Sequence, residues 1–440
     1  LVGSEMFIRD RYRAYGTDIM PQTWAINQKN RDRGYLQEDA VDAGARRRCL
    51  SCVVGRVMMV KKKYKVGMIG VGMQGLCHAR SYLHNPYTEV VAGSDTDPDN
   101  LDLFTQSFGV PGYSSYEEML DKEEIDIIAP VLPVRANPDA IVAAARAGVK
   151  AIFCEKPLTA SLEDADRVVS ECRSQGVYFY GGHTIRNYPQ LWKAREIIEA
   201  GEIGEIQSIN LYDGNGQGGC HWMSVVRMFA WDADVDWVVG WVAGDPFSEF
   251  EGDKYTEQKG DSGVREIGGY IRFDNGIECF SQYGTTKMGI EVMCSRGMFA
   301  FDWSNFRMWK AKDGLDGRYM DDLEEIEGLF PDVDTFDDIG HFDENGWAIP
   351  ENRLNNTVQW IVDSLETGVK PRCSGEDLLK SLEICIALRE SHRRGHTQVK
   401  LPLDDRSLKL MPDTARWMNK KDLNSKEWYD ALIARQREPV

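Results

Sequence analysis

The chain has 440 residues, of which 42% are hydrophobic, and its formal net charge is -18 at pH 7. That length and hydrophobic content can build two or three globular domains. The negative charge argues against a nucleic-acid-binding surface, because such surfaces need clustered Lys and Arg to displace counterions. No apolar run reaches the roughly 18 residues that cross a bilayer, and most of the ten cysteines lie in apolar runs, as in reducing compartments. We therefore expect a cytoplasmic protein that binds neither nucleic acid nor membranes.

Residues 1–60 differ in composition from the rest of the chain. They contain nine Arg and one Lys and show no sustained helical or strand periodicity. Met58 and Met59 precede a Lys-rich stretch that resembles a native start. We interpret residues 1–60 as an extension of uncertain origin that is disordered. Its Cys49-x-x-Cys52 pair lacks a second pair, so we predict no metal site.

From Tyr64 onward, short apolar runs alternate with helical stretches. The runs with the composition of strands are 66–69, 89–93, 125–130, 150–154 and 177–180. The helical stretches between them are 76–83, 116–120, 140–147 and 162–175. Strands that alternate with helices are typical of a parallel, doubly wound sheet. We predict an α/β, Rossmann-type dinucleotide-binding domain over residues 61–183.

The second half of the chain has a different pattern. A predicted helix at 191–200 is followed by strand-like runs at 206–213, 264–273, 277–283, 290–294 and 298–303. Asn275-Gly276 and Arg296-Gly297 separate two pairs of these runs and predict hairpins. Helices at 354–367 and 375–394 precede a last strand at 398–403. We predict an α+β domain with a large, mostly antiparallel sheet over 184–403, and a polar tail over 404–440 that wraps a neighbouring molecule.

A glycine-rich turn lies directly between the first predicted strand and its helix. It has the GxGxxG pattern and comprises Gly70, Val71, Gly72, Met73, Gln74 and Gly75. Gly70 permits the tight turn, Gly72 lets the backbone approach a pyrophosphate, and Gly75 lets the helix pack on the strand. The helix N-terminus supplies N–H groups and positive potential. We predict that this turn, including Met73 and Gln74, binds the cofactor; the alternative is a flexible turn without a ligand.

Asp95 lies twenty residues after Gly75, at the end of the second predicted strand. A carboxylate there accepts hydrogen bonds from both adenosine ribose hydroxyls and repels a 2'-phosphate. The sequence therefore favours NAD over NADP. Asp97 is an alternative for this role, and an ordinary turn aspartate is the structural alternative.

The stretch Cys154-Glu155-Lys156-Pro157-Leu158, about 80 residues after the glycine turn, resembles the Gfo/Idh/MocA oxidoreductases. Further matches are Gly181-Gly182-His183 with Arg186 and Pro189, and the stretch 197–204, within a resemblance over about 65–403. It implies that Lys156 lies between nicotinamide ribose and substrate. It also implies that the sheet of the second domain carries the substrate and the contacts of a homodimer or homotetramer.

Lys156 has a chemical reason to lie in such a site. Oxidising a secondary alcohol requires removal of the hydroxyl proton as hydride leaves, and an amine near a positively charged nicotinamide has its pKa lowered. We predict that Lys156 acts as the base or donates a hydrogen bond, in contact with cofactor and substrate. The alternative is a surface lysine at a strand end. Glu155 is predicted to line the cofactor site and position it by pairing with a neighbouring group.

The family's Asp-x-x-x-His-x-x-Asp signature aligns with residues 217–224, where Gln217 and Ser224 replace the two carboxylates. His221 remains, and its ordinary pKa near 6.5 suits hydrogen bonding to a substrate hydroxyl or proton exchange with it. We expect His221 to be catalytic and to contact substrate together with Gln217. Asp213 is an alternative carboxylate, and a structural histidine at a helix start is the alternative for His221.

The resemblance implies four further cofactor contacts. Residues 132–137 match the family's Thr-Pro-x-x-x-His pattern with Asn137 in place of His, so Pro133 and Asn137 are expected to contact the cofactor. His183 is expected to line the nicotinamide pocket, with a buried structural role as the alternative. Arg186 is expected to hold a cofactor carboxamide or a polar substrate group, unless it forms a plain surface salt bridge.

Three functions follow from these features. The first is an NAD-dependent dehydrogenase acting on a secondary hydroxyl of a sugar, cyclitol or related polyol. The second is a redox-neutral NAD-dependent glycoside hydrolase or lyase. The third, suggested by the missing carboxylates at 217 and 224, is a cofactor-binding protein with impaired catalysis. The Trp-rich region 213–245 predicts either an aromatic polyol pocket or core packing.

Overall fold

The computed structural model describes residues 63–212, 220–242, 267–282, 289–302, 305–329 and 352–410. Several sequence predictions lie outside them: the extension at 1–60 with its cysteine pair, Asp213 and Gln217, and the tail from residue 411.

The first sheet has six parallel strands in the order β3-β2-β1-β4-β5-β6. Its strands are β1 (Tyr64–Ile69), β2 (Thr88–Ser94), β3 (Gly112–Tyr113), β4 (Ile127–Pro130), β5 (Ala151–Cys154) and β6 (Tyr178–Gly181). The helices between them are α1 (Met73–His84), α2 (Pro98–Phe108), α3 (Tyr116–Lys122), α4 (Asn137–Arg146) and α5 (Leu162–Ser174). This is the doubly wound Rossmann order, which confirms the predicted fold class of the first domain.

Local sequence explains where these helices begin. Ser115 and Ser161 precede α3 and α5, and each side-chain oxygen accepts a hydrogen bond from a first-turn N–H. Asp97 caps α2 in the same way, with Pro98 at its first position. Helix α2 is absent from the sequence predictions, although its start carries both signals.

The second sheet has nine strands in the order β14-β13-β12-β11-β7-β10-β9-β8-β15. The strands are β7 (Ile206–Tyr212), β8 (Val235–Val242), β9 (Ile267–Phe273), β10 (Glu278–Gln282), β11 (Gly289–Cys294), β12 (Gly297–Phe301), β13 (Phe306–Ala311), β14 (Leu323–Glu325) and β15 (Val399–Lys400). All described pairs are antiparallel except β7 with β10. The predicted mostly antiparallel sheet and both hairpins are confirmed.

Four more helices of the described ranges pack on the sheets and on other helices. The remaining helices are α6 (Pro189–Glu199), α7 (Cys220–Phe229), α8 (Asn352–Thr367) and α9 (Gly375–Arg393). Helix α9 packs closely on β8 and β9, because Gly240 and Gly269 carry no side chain there. A Cβ on Gly240 would lie 2.2 Å from the Leu388 carbonyl oxygen. Glycine in this strand thus lets a buried helix backbone approach the sheet.

The beginning of the predicted tail packs on its own chain. The carbonyl groups of Arg406 and Leu408 accept hydrogen bonds from the first N–H groups of α5. The Arg406 guanidinium also pairs with Asp166, at 2.7 Å. Residues 406 and 408 thus cap a helix of the same chain, and the contact of the tail with a neighbouring molecule stays a prediction.

The described helices include none that is long and apolar enough to span a membrane. The eight described cysteines are free thiols and all are buried.

Candidate active site

The glycine-rich turn joins β1 to α1 at the carboxyl edge of the first sheet. Gly70 has φ +83°, and a Cβ at this position would lie 2.3 Å from the Val131 carbonyl oxygen. A Cβ on Gly75 would lie 2.1 Å from the carbonyl oxygen of Gly70. Gly72 differs, because a Cβ added there would lie 3.5 Å from its nearest described neighbour, the side-chain nitrogen of Asn100, which is an ordinary van der Waals distance. Gly70 and Gly75 thus shape the turn, and Gly72 leaves room for another group to approach.

The N-terminus of α1 is open to an anion. Gly72 provides no side-chain cap, and the first turn contains no acidic residue. The backbone N–H groups at Met73 and Gln74 lie within this first turn, where a helix has no internal acceptors for them. Such an end suits a pyrophosphate.

Asp95 follows β2 and is bonded directly to the glycine-rich turn. Its carboxylate accepts hydrogen bonds from the Val71 N–H at 2.9 Å, the Asp97 N–H at 2.9 Å and the Asn100 amide at 3.3 Å. Asp97 instead caps α2, accepting from the Asp99 N–H at 3.1 Å. Asp95 is therefore the carboxylate at the turn, and holding the turn is a role that sequence reasoning missed.

The loops after β4 and β5 meet at the same edge. Pro133 precedes a short 3-10 helix (Val134–Ala136), and Asn137 begins α4. The Asn137 amide donates to the Leu158 carbonyl at 3.3 Å. Its buried Oδ1 has no partner within the described part of the chain. Asn137 therefore ties the loop after β4 to the segment that follows Lys156.

Glu155 is held by two groups. One oxygen accepts a hydrogen bond from His78 Nε2 at 2.8 Å, and the other accepts from the Lys156 backbone N–H at 3.0 Å. Burial works to raise the pKa of Glu155, but the hydrogen bond from His78 and the charges of His78 and Lys156 hold it below its usual value. The expected pairing partner of Glu155 is thus His78, on α1, which sequence reasoning did not single out.

His183 and His221 face each other, with ring centroids 5.8 Å apart. His183 follows β6, and His221 lies in the first turn of α7. Neither buried Nδ1 has a hydrogen-bond partner among the residues that the structure describes. Burial, helped by the charge of Arg186, lowers the pKa of His183 to about 3. Burial and the charge of Lys156 lower the pKa of His221 well below its usual value, so both rings are neutral near pH 7.

Arg353 adds a second cation to this region. It lies in the first turn of α8, is 7% exposed, and its guanidinium carbon is 5.4 Å from the centroid of the Tyr188 ring. Its charge, like that of Lys156, lowers the pKa of His221. No local pattern points to Arg353, because it is more than 130 residues from His221 along the chain.

Arg186 is buried among charged and backbone groups. Its side chain is 2% exposed and pairs with Asp232 at 2.8 Å and Asp377 at 3.7 Å. It also donates to the carbonyl groups of Arg372 and Ser224. The guanidinium is therefore engaged in a buried network and does not form a surface salt bridge, and its contact with a cofactor or substrate stays a prediction.

Ser224, in place of the second family carboxylate, is fully buried. Its Oγ lies 3.9 Å from the Cys373 Sγ.

Trp222, on the same helix, is also fully buried and packs on Phe301 at 5.8 Å between ring centroids. Trp222 is thus core. Trp237 lies instead on the sheet beside Tyr270, at 5.0 Å between ring centroids.

Residues 64–183 match the Gfo/Idh/MocA family model, described as the oxidoreductase family with an NAD-binding Rossmann fold. This segment is similar to the NAD-binding Rossmann domain of that family. It contains the glycine-rich turn, Asp95, Glu155 and Lys156 described above.

Two curated relatives match part of the chain. The myo-inositol 2-dehydrogenase of Thermotoga maritima is 29% identical over 142 residues, which are 32% of this chain and 42% of that protein. The 2,7-anhydro-N-acetylneuraminate hydratase of Escherichia coli is 30% identical over 142 residues, covering 32% of this chain and 37% of that protein. The matched segment spans less than half the length of these relatives.

Structural similarity extends further along the chain. The WlbA dehydrogenase of Bordetella pertussis, solved with NADH and UDP-GlcNAcA, superposes with a TM-score of 0.61 at 19% identity. The match covers 79% of this chain and 100% of that one. It shows that the first and the second sheet belong to a fold that is also seen in that dehydrogenase.

The groups at the carboxyl edge of the first sheet are of the kinds that bind NAD. The side-chain-free face of Gly72, the uncapped start of α1 and the carboxylate of Asp95 lie in the places that a pyrophosphate and an adenosine ribose need. Within the described ranges, no cluster of three or more His, Cys, Asp or Glu side chains is arranged for a metal ion.

Proposed function

We propose that this protein is an NAD-dependent oxidoreductase that transfers hydride between a secondary hydroxyl of a sugar, cyclitol or related polyol and nicotinamide. The observation that carries the proposal is the position of Lys156. It follows β5 of an NAD-binding domain, and its charge lowers the pKa values of both His183 and His221. A proton-carrying group thus lies with two neutral imidazoles at the edge where dinucleotides bind.

The nicotinamide of bound NAD would accept the hydride, and the residues of this chain would manage the proton. Lys156 takes the proton from the substrate hydroxyl or returns it in the reverse reaction. His221, neutral because of its lowered pKa, orients that hydroxyl by hydrogen bonding. Glu155 positions Lys156 by accepting its backbone N–H, and His78 fixes Glu155.

We assign the cofactor contacts to residues at the carboxyl edge of the first sheet. The group comprises Gly70, Gly72, Met73, Gln74, Gly75, Asp95, Pro133, Asn137, Glu155, Lys156 and His183. Asp95 favours NAD over NADP, because its carboxylate repels a 2'-phosphate. Gln217 stays a proposed substrate contact.

A redox-neutral lyase or hydratase is the second candidate. Two observations favour it: the similarity to the Escherichia coli hydratase, and the replacement of both family carboxylates by Gln217 and Ser224. Transient oxidation acidifies a neighbouring C–H bond, so a substituent can be eliminated without net consumption of NAD. Loss of catalysis with retention of cofactor binding is a third outcome.

One assay separates these functions. The protein is incubated with NAD and a panel of polyols and aryl glycosides, while absorbance at 340 nm and aglycone release are followed together. A steady rise at 340 nm supports the dehydrogenase, and aglycone release without that rise supports the redox-neutral enzyme. NAD binding without either signal would overturn both and leave a binding protein.

Lys156→Met tests the role of the lysine. We expect kcat to fall by about 10²–10⁴-fold, the range that acid–base catalysis contributes, while NAD affinity stays within a few-fold. Lys150→Met is the matched control, because Lys150 pairs with Asp126 at the opposite edge of the same sheet. An unchanged kcat in Lys156→Met would contradict the assignment.

We further propose that a second copy of the chain binds the outward face of the nine-stranded sheet, giving a homodimer or homotetramer. Trp237, Tyr270 and Phe280 form a row of aromatic rings on neighbouring strands, with centroids 5.0 and 5.2 Å apart. Phe280 is 42% exposed. Exposed apolar surface of this kind is typical of protein contacts.

A further inference from the structure

Arg186 is a buried cation that the proposed proton transfer does not use, and its bonds join the two elements that carry His183 and His221. It lies in the 3-10 helix Thr184–Asn187, and its backbone N–H donates to the His183 carbonyl at 3.0 Å. Its side chain donates to the carbonyl of Ser224, on α7, at 3.2 Å. Each histidine therefore lies three residues along the chain from one end of this side-chain hydrogen bond.

The guanidinium of Arg186 has further partners near α7 and α9. Its Nε donates to the Arg372 carbonyl at 3.0 Å, and its terminal nitrogens pair with Asp232 at 2.8 Å and Asp377 at 3.7 Å. Only 2% of the side chain is exposed, so little water competes for these contacts. Because a guanidinium is planar and its N–H groups point in fixed directions, these partners determine where it lies and how it is oriented.

The backbone around Arg186 is anchored by other groups. The Arg186 carbonyl accepts a hydrogen bond from Trp192 Nε1, on α6, at 2.9 Å. At the end of β6, the Gly181 N–H donates to the Cys373 carbonyl at 2.8 Å. The hydrogen bond from the Arg186 side chain to Ser224 thus connects α7 to an anchored segment.

The distance between the two histidine rings depends on this connection. The rings face each other with centroids 5.8 Å apart. His183 directly precedes the 3-10 helix and His221 lies on α7, so a shift of α7 relative to that helix would move one ring relative to the other. A misplacement of about 1 Å in an enzyme site can lower the rate about 10²-fold.

We propose that Arg186 is a positioning residue that holds α7 against the 3-10 helix and so sets the spacing of His183 and His221. It acts through these two elements, without contact with the reacting atoms. The inference rests on the proposed function, because it assigns how the two histidines of that site are held in place. An arginine that only stabilised the fold would leave the geometry of the two rings unchanged when a lysine replaces it.

Arg186→Lys tests this role, because lysine keeps the positive charge beside Asp232 and Asp377 and lacks the planar fork. With NAD and a polyol that the wild type oxidises, we expect kcat to fall about ten- to hundredfold, while NADH affinity stays within about twofold. A folded Arg186→Lys with the kcat of the wild type would overturn the proposal. If this variant does not fold, Arg186→Gln combined with Asp232→Asn serves with the same expected loss, because it removes both charges of the pair and Asp377 keeps Arg227 at 3.6 Å.

Arg195→Lys is the matched control. Arg195 pairs with the same Asp232 at 2.8 Å, its side chain is 17% exposed, and its other described contacts are the rings of Trp192 and Trp231. We expect this variant to lose stability in urea unfolding and to keep kcat within about twofold of the wild type. A loss of kcat as large as that of Arg186→Lys would overturn the proposal, because any disturbance of the network would then be sufficient.

The ring signals of the histidines report the geometry without turnover. The chain has seven histidines, so NMR spectra with isotope-labelled histidine can be compared between the wild type and Arg186→Lys, with His183 and His221 assigned through their Asn variants. We expect the signals of these two rings to shift, whereas those of His84, exposed at the end of α1, stay unchanged. Because lysine keeps the charge, such a shift reports a changed geometry. Unchanged signals of both rings would overturn the proposal.

These measurements separate the inference from the proposed function. Shifted ring signals in Arg186→Lys support the inference even if the wild type oxidises no polyol, a result that would contradict the proposed function alone. Turnover by the wild type, with unchanged ring signals and unchanged kcat in Arg186→Lys, would overturn the inference and leave the proposed function intact.

Discussion

Gly70 carries a backbone requirement that no other residue type meets at low cost. Its φ of +83° excludes a side chain, and so does the Val131 carbonyl oxygen, which would lie 2.3 Å from a Cβ at this position. We predict that Gly70→Ala lowers NADH affinity at least tenfold and destabilises the fold by about 1–3 kcal/mol. Fluorescence titration with NADH and urea unfolding measure the two effects.

Gly109→Ala is the matched control for this substitution. Gly109 also has a positive φ, +66°, but a Cβ there would meet no atom within 4 Å. It should lose a little stability and bind NADH as the wild type does. Equal NADH affinity in the two variants would show that the turn does not form the pyrophosphate site.

The buried His183 predicts how stability depends on pH. Its pKa is about 3 in the folded protein against about 6.5 in the unfolded chain, so the unfolded state binds more protons below pH 6.5. Stability is therefore lost as pH falls through that range. Between pH 7 and 5.5 we expect this residue to cost roughly 1 kcal/mol of the free energy of unfolding.

His183→Asn should reduce the loss of stability on acidification by about that amount. Urea unfolding at the two pH values measures it. His84→Asn is the control for the same replacement at a surface position, since His84 is exposed at the end of α1. The same slope in the wild type and in His183→Asn would contradict a neutral, buried His183.

Much of the site at this scale can be predicted from the chain, and the reasons for the failures are specific. The glycine turn, Asp95 and Lys156 are local patterns whose geometry follows from a strand, a turn and a helix. The buried network of Arg186 could not be predicted, because its partners Asp232 and Asp377 are distant in sequence and only folding places them around it. No sequence motif points to Arg353.

At the scale of elements, β8 shows how the edge of a strand is completed by side chains. The Gly240 N–H donates to Ser391 Oγ at 2.9 Å, and the Val242 N–H donates to His392 Nδ1 at 2.7 Å. His396 bonds the Gly240 carbonyl at 2.9 Å and stacks on His392, with ring centroids 4.4 Å apart. Side chains of α9 and the following turn thus provide the partners that another strand would supply.

We predict that His392→Phe destabilises the protein by about 1–3 kcal/mol, because it leaves the Val242 N–H without its acceptor. His392→Asn, whose oxygen can accept that bond, should recover part of the loss. His84→Phe on the surface is the control for adding a phenyl ring. Urea unfolding compares the variants, and equal stability of His392→Phe and wild type would contradict this role of His392 at the strand edge.

Strand β8 is also the element whose sequence pattern is the most ambiguous. Its tryptophans and Gly240 are compatible with a binding pocket, because aromatic and glycine-rich segments often form one. In the fold, Trp237 lies beside Tyr270 on the sheet, and Gly240 makes room for the backbone of α9. The regular alternation of strand-like runs and helical stretches is sufficient to predict the first sheet. Close packing between elements that are distant in sequence, such as α9 on β8, cannot be predicted in this way.

At the scale of the whole molecule, the open face of the nine-stranded sheet predicts self-association. Phe280→Asp places a charge in the aromatic row and should shift the protein from dimer or tetramer toward monomer. Leu315→Asp is the control, because Leu315 is 44% exposed in a loop outside the sheet. Light scattering after size-exclusion chromatography measures the mass. A monomeric wild type would contradict the proposed assembly.

The proposed site draws on both parts of the fold. The Rossmann sheet provides Asp95, the glycine turn and Lys156, whereas His221 and Arg353 come from helices α7 and α8 beyond it. In the proposed arrangement the cofactor lies on the first part, and the substrate lies between the cofactor and His221.

A crystal structure of the protein with NADH tests this arrangement most directly. We predict the pyrophosphate against residues 70–75, the adenosine ribose on Asp95, and the nicotinamide ring beside Lys156 with His183 and His221 around it. A nicotinamide ring directed away from Lys156, or a dinucleotide bound elsewhere on the fold, would contradict the proposed function.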